Sequence, residues 1–466
     1  MVDFRDRIDA VVPRTLSDLK TLVAVESISS MPDHAADVRR SAEQVATWLT
    51  ELGCPQVSIV AEGGQPAVVA HFPAPAGKPT ICLYAHHDVQ PVGDLGAWSS
   101  APFEAVERDG RLYGRGTADD KGGVLAHLAA LRAYDGKPPI GVKLFIEGEE
   151  EIGSPSLPRI LAAHHDELDA DAFVIADSTN WEVGVPTFTT TLRGIVDCVV
   201  EVRTLSHGVH SGFAGGVVPD ALTALARILA TLHDDEGNVA VEGLVRTPGP
   251  DLDYPPDRLA EETGLLPGVH QIGRGSVVER MWTAPAVSVL AIDAPPVAEA
   301  VNLIIPAARA KVSLRLAPGD DAGRALAALT AHLESHAPWG AQVRVIPGDS
   351  GQPGVIPASG PVFEEARAAI ADAWGREPVF AGAGGSIPMT AEFQRQFPTA
   401  TVLVTAVADS DSRPHGVDES LDLGDWRKAA LFEMLFMERM ANLKTEGGRP
   451  PYPPHDPVAS DLRSEA

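Results

Sequence analysis

Apolar residues follow two rhythms along this chain. Residues 80–85, 142–146, 172–176 and 401–407 are near-continuous apolar runs of strand length, the pattern of strands buried on both faces. Between them, apolar positions recur at helical spacing. Val38, Ala42, Val45, Trp48 and Leu49 predict a helix over 37–52. Further helices are expected over 4–25, broken or kinked at Pro13, and over 124–134, 361–374 and 423–443. Residues 57–72 read as two short strands about a Gly63-Gly64 turn. Strands alternating with helices predict an α/β fold, a mostly parallel sheet covered by helices on both faces.

The rhythm changes after Pro186. Residues 187–203 form one long run rich in Thr and Val, followed by a helix over 219–232. Alternating strands over 286–292, 309–316 and 341–346 enclose a helix over 321–335. This order predicts a smaller α+β domain with a largely antiparallel sheet. Residues 348–354 form the linker out, after which the first style resumes. The expected organisation is a split main domain, 1–186 and 352–466, with a lid or dimerisation domain inserted over 187–351. The 187–203 strand is expected at a sheet edge, where it would invite two-fold pairing. The tail from Glu446, rich in proline, is expected to be extended.

Composition narrows the function. The 466 residues exceed one ordinary domain, and 44% hydrophobic content is ample for two cores. A formal net charge of −27 argues against nucleic acid or an anionic membrane as partner. Cys54, Cys82 and Cys198 are scattered, without CxxC spacing, which fits a reducing cytoplasm. The N-terminus lacks a leader pattern and no apolar run reaches membrane-spanning length. The expectation is a soluble cytoplasmic protein.

Each buried run ends in side chains able to bind metal. The first ends in His86-His87-Asp88, the second in Glu147-Gly148-Glu149-Glu150-Glu151, the third in Asp177, and His415 follows the fourth in a polar loop. Open α/β sheets place ligands at the carboxyl ends of their strands. Asp119-Asp120, after Gly114-Arg115-Gly116, could cap the next helix or supply a carboxylate bridging two cations. Glu150-Glu151 could be a solvated charge run, but it directly follows a strand between Gly148 and Gly153, which favours a site. His86, Asp119, Glu151, Asp177 and His415 make a set of imidazoles and carboxylates without thiolate, suited to Zn²⁺ or Mn²⁺. Five such groups exceed one open zinc site and suit two ions about 3.5–4 Å apart sharing a carboxylate. Asp88 would then fix the His86 tautomer, leaving Glu150 as general base and acid.

Four motifs follow in order: Ala85-His86-His87-Asp88-Val89-Gln90-Pro91, Gly114-Arg115-Gly116-Thr117-Ala118-Asp119-Asp120-Lys121-Gly122, Glu147-Gly148-Glu149-Glu150-Glu151-Ile152-Gly153-Ser154 and His210-Ser211-Gly212. In them the chain resembles the co-catalytic dinuclear metallopeptidases of the carnosinase-type dipeptidase, carboxypeptidase and aminoacylase kind, over nearly its whole length. The resemblance implies the same five ligands, with Asp119 bridging two Zn²⁺ per chain, Asp88 orienting and Glu150 as base. It implies that the Asp119–Asp120 peptide is cis. It also implies a lid that pairs two subunits, with His210 reaching the partner's site to stabilise the oxyanion. Arg315 would grip the substrate carboxylate, and Ser386, in Gly384-Gly385-Ser386-Ile387-Pro388, would line the pocket. Ile152, and Gly416-Val417-Asp418-Glu419 after His415, depart from the family pattern without touching a ligand. The expected activity is amide hydrolysis in small peptides, as a dipeptidase. The alternatives are a deacylase of N-acyl amino acids on the same site, or an inactive scaffold.

Overall fold

A computed structural model describes residues 4–384 and 388–443; Ser386 and the proline-rich tail lie outside them. The described residues divide into two compact units, one drawn from Met1–Phe188, Pro357–Val379 and Glu392–Ala466, the other from Thr189–Ile356 and Phe380–Ala391.

The first unit is built on a six-stranded sheet in the order Gln56–Val60, Ala67–Phe72, Gly141–Glu147, Thr80–His86, Ala172–Ile175, Thr401–Val404. The last four run parallel, while the first two add an antiparallel edge. Thr80–His86 and Gly141–Glu147 are buried at every position, as their unbroken apolar runs require. Side chains alternate between two cores. Ile81, Leu83, Ala85, Val142, Leu144 and Val174 pack among Leu19, Leu49, Leu128, Ile370 and Phe436 from the surrounding helices. On the opposite face Phe173 stacks on Phe393 with ring centroids 4.6 Å apart, and Tyr84 and Phe145 meet the same ring edge-on. The sheet is therefore covered on both faces, as expected.

Helix Phe4–Val23 is not broken at Pro13. Proline removes one hydrogen bond from its own turn, but Ile8, Leu19, Leu22 and Val23 are fully buried on the same helix and hold the flanking turns to the core. A small hairpin pairs Val106–Arg108 with Arg111–Tyr113 about Gly110, which takes φ +80°.

The second unit carries a four-stranded antiparallel sheet in the order Ala286–Asp293, Ala307–Leu316, Gly194–Arg203, Gln342–Gly351. Helices Ala221–Ala230 and Ala322–Ser335 cover one face, packing Leu225, Ile228, Leu329 and Leu333 onto Val196, Val200, Val312 and Leu314. The long strand expected over 187–203 is two strands, Thr187–Leu192 and Gly194–Arg203, in different sheets. The break has a tertiary cause. The Arg193 guanidinium turns to donate to the carbonyls of Arg280 and Ala284, and any Cβ on Gly194 would lie 2.6 Å from the Pro353 nitrogen. Nor is the second strand an edge: Gly194–Arg203 pairs on both sides, and Ala286–Asp293 and Gln342–Gly351 are the edges. The expected linker at 348–354 is instead strand through Gly351, with Gly354–Val355 pairing to Thr191 and Leu192.

Candidate metal centre

The parallel strands of the first unit share one direction, so their carboxyl ends share one sheet edge. His86 is the last residue of its strand and pairs in register with Glu147, beyond which Glu150–Ile152 forms a single 3₁₀ turn. Asp177 lies two residues past Ile175. Asp119 precedes the helix Lys121–Ala133, which the Asp120 carboxylate caps by accepting from the Gly123 amide at 3.1 Å; the Asp119–Asp120 peptide is cis. Gly116 makes this approach possible. It has φ +81°, and a Cβ there would lie 2.6 Å from Val89.

The side chains meet around Asp119. Its Oδ1 lies 3.0 Å from His86 Nε2, and its Oδ2 lies 3.0 Å from His415 Nε2. Asp177 Oδ1 is 3.8 Å from the first imidazole, and Glu151 Oε2 is 3.1 Å from the second. Two three-residue groups thus share one carboxylate. Glu150 belongs to a third: single ligand atoms of His86, Glu150 and Asp177 lie within 4.8 Å of one another. The two groups differ in access, since the His86 side chain is fully buried and that of His415 is 58% exposed.

Asp88 holds this arrangement from behind. The His86 Nδ1 faces the Asp88 carbonyl at 3.1 Å and its carboxylate at 3.4 Å. The same carboxylate accepts the backbone N–H of Glu150 and of Glu151, each at 3.2 Å. The sequence suggested the first role for Asp88 and gave no sign of the second. Gln90 was likewise silent; its amide donates to the Glu151 carboxylate at 2.9 Å.

The electrostatics test whether a cation fits. Burial pushes Asp177 up to about 7, with the charges of Asp119 and Glu151 adding to it against the pull of His86. Burial, then Asp177, raises Glu150, and burial, then Asp119, raises Glu151. Asp119 goes the other way: burial would raise it, but hydrogen bonds from His415 and His86 outweigh that and hold it below the carboxylate range. Among the described residues, no lysine or arginine lies within ion-pair distance of these four acids. The cluster carries more negative charge than its two imidazoles offset. Tetrahedral zinc with bonds of about 2.0–2.1 Å sets its ligand atoms about 3.3 Å apart, close to the separations seen here. The donor set and its spacing fit divalent metal.

His210 and Arg315 belong to the second unit. His210 is exposed, ends a two-residue strand paired with Leu303–Ile304, and accepts from the Gly212 amide on Nδ1 at 3.0 Å. Arg315 stands half-buried on Ala307–Leu316, opposite Ile195 and Ala286, and its guanidinium makes no hydrogen bond or ion pair among the described residues. Ser386 lies outside the described residues.

A His-and-carboxylate cluster at the carboxyl edge of a parallel sheet is the setting of a catalytic metal centre. The chain belongs to peptidase family M20/M25/M40, whose description matches residues 82–439. It is 35% identical over 431 residues to a cysteinylglycine-S-conjugate dipeptidase of Corynebacterium striatum, covering 91% of this chain and 95% of that protein. It is 25% identical over 455 residues to a Cys-Gly metallodipeptidase of Saccharomyces cerevisiae, covering 90% and 94%. The crystal structure of human carnosine dipeptidase 1 matches with a TM-score of 0.81 at 26% identity, covering 94% of this chain and 98% of that one.

Proposed function

We propose that this chain is a homodimeric dipeptidase working with two divalent metal ions. The observation that carries the reading is Asp119, whose two oxygens each meet a different imidazole at 3.0 Å. His86, Asp119 and Asp177 would hold one ion, and His415, Asp119 and Glu151 the other. Zinc or manganese, bound there, supplies Lewis acidity toward the scissile carbonyl and makes water more acidic.

The chain's own residues supply the rest. Asp88 orients His86 and fixes the backbone of the 3₁₀ turn that presents Glu150 and Glu151. Glu150, needed in neither ligand set, takes a proton from the attacking water and returns it to the departing amine. Arg315, with its guanidinium unengaged, binds the substrate's carboxylate as a planar fork. His210, whose Nε2 has no partner among the described residues, donates to the oxyanion in the partner's site.

The dimer reading shifts to a new strand. Ala286–Asp293 is an open edge with Val289, Leu290 and Ile292 exposed by 42%, 59% and 48%. An apolar, unprotected edge strand favours pairing with a second copy. We assign the protein to the cytoplasm, consistent with three free, buried cysteines. No helix among the described residues is long and apolar enough to cross a membrane.

The relatives named as dipeptidases support the substrate class. The test is a panel of dipeptides, tripeptides and N-acyl amino acids assayed with Zn²⁺ and Mn²⁺. The expected result is preferential turnover of dipeptides. Preferential turnover of N-acyl amino acids would replace this reading with a deacylase.

A further inference from the structure

We infer that Arg115 and Glu419 form a positioning pair that builds the outer half of the cluster, and that metal affinity at the His415–Glu151 position depends on it. The inference rests on the two-ion reading above. It concerns residues that take no part in either ligand set.

The geometry is a small hub. Glu419 Oε2 accepts from Arg115 Nη1 at 2.7 Å and from the Gly116 amide at 2.9 Å. Its Oε1 accepts from the Ala118 amide at 2.9 Å and from the Asp119 amide at 3.1 Å. One carboxylate thus accepts four donors, which occupies the acceptor sites of both oxygens. Arg115 Nη2 reaches onward to the His415 carbonyl at 3.1 Å and the Pro91 carbonyl at 3.2 Å. Both side chains of the pair are buried. A single ion pair therefore grips the backbone of Asp119 on one side and of His415 on the other.

His415 needs that grip. It has φ +61°, and Arg413 and Asp418 in the same loop have φ +53° and +56°. Three non-glycine residues in the left-handed region within six positions persist only where the surroundings over-determine them. The loop's own backbone supplies some of this, with Gly416 donating to the Arg413 carbonyl and Ser420 to the Ser412 carbonyl, each at 2.9 Å, and side chains from outside the loop supply the rest. Arg115 holds the His415 carbonyl, Arg111 reaches Asp409 at 3.0 Å and Ser412 at 3.2 Å, and Ser99 donates twice to the Asp418 carboxylate.

The inner position is built differently. His86 ends a fully buried strand within the sheet ladder, and Asp177 lies two residues past another, next to Ala176, whose amide donates to the Tyr84 carbonyl at 3.1 Å, so the sheet holds both close. Loosening the hub disturbs two of the three outer ligands, His415 and Asp119, but only the shared Asp119 among the inner ones. The two positions should respond unequally.

The test is a titration of chelator-stripped protein with Co²⁺, followed by calorimetry and by visible absorption, for wild type, Glu419→Gln and Arg115→Lys. Circular dichroism and thermal melting show that each variant is folded. Glu419→Gln keeps the shape and loses the charge; Arg115→Lys keeps the charge and loses the fork that spans two carbonyls. Arg115→Lys carries the test should Glu419→Gln not fold. The expected result is two binding steps in wild type, with the weaker step reduced about 10–100-fold in the variants and the tighter step unchanged. Two unaltered steps in a folded variant, or equal weakening of both, would overturn the hub while leaving the two-ion reading in place. A single step in wild type would overturn both.

Discussion

The carboxylate of Asp88 accepts the backbone N–H of Glu150 at 3.2 Å. Since Asp88 also faces His86 Nδ1, one buried acid ties the strand that presents the first imidazole to the turn that presents the base. Asp88→Ala removes the carboxylate's contacts to the Glu150 and Glu151 amides and to His86, and leaves only the backbone carbonyl facing His86 Nδ1. We expect a loss of about 10–100-fold in kcat/KM or metal affinity, typical of an outer-shell partner, with the fold retained. Steady-state kinetics alongside metal analysis would check this, and unchanged values for both would remove Asp88 from the site.

Glu150→Gln separates binding from chemistry. The variant keeps the side chain's shape and both N–H contacts to Asp88, so metal content should match wild type. Turnover should fall by about 10²–10⁴-fold, the usual contribution of a general base. Near-normal kcat would move the base elsewhere.

A stability prediction comes from the core. His127 and Glu433 are buried and pair at 2.7 Å, with the second ring nitrogen of His127 facing the Tyr84 carbonyl at 3.0 Å. Burial would lower the His127 pKa, but the charge and hydrogen bond of Glu433 outweigh it, and the net shift is upward. The sign follows from that. The protonated imidazole is favoured by folding, so the contribution is whole below about pH 6.5 and is lost as pH rises through the elevated folded value. Glu433→Gln should cost about 3–5 kcal/mol at low pH, as breaking a buried pair does. Denaturant unfolding of both proteins across pH checks this: the gap between them should narrow as pH rises.

The edge strand offers a test of assembly. Leu290→Lys places a charge on an exposed edge strand, paired on one side only, that contributes little to its own core. Sedimentation should then show monomer where wild type shows dimer, with an unchanged circular dichroism spectrum. A dimer that survives the substitution would place the interface elsewhere.

How far the sequence revealed all this depends on the range of each interaction. The site strands were legible because each is a continuous apolar run ending in a metal-capable residue, and their common edge followed from parallel pairing. The helix Pro361–Trp374 was legible to the residue, since Pro361 starts it and Gly375, at φ +74°, ends it. The break at Arg193 was not, because its cause is a guanidinium reaching carbonyls about 90 positions away. Glu419 was seen only as part of a departing run after His415. Its partners lie about 300 residues earlier, and nothing local to Glu419 signals them. Asp88 was half-legible: its link to His86 is two residues long, while its link to Glu150 spans 62.

The proposed activity requires Asp119 to serve two ions at once. The direct measurement is metal content per chain, by native mass spectrometry with elemental analysis, on active protein purified without chelator, beside Asp119→Ala. We predict two ions per wild-type chain, and loss of at least one ion together with activity in the variant. Fully active protein that never holds more than one ion would contradict the account.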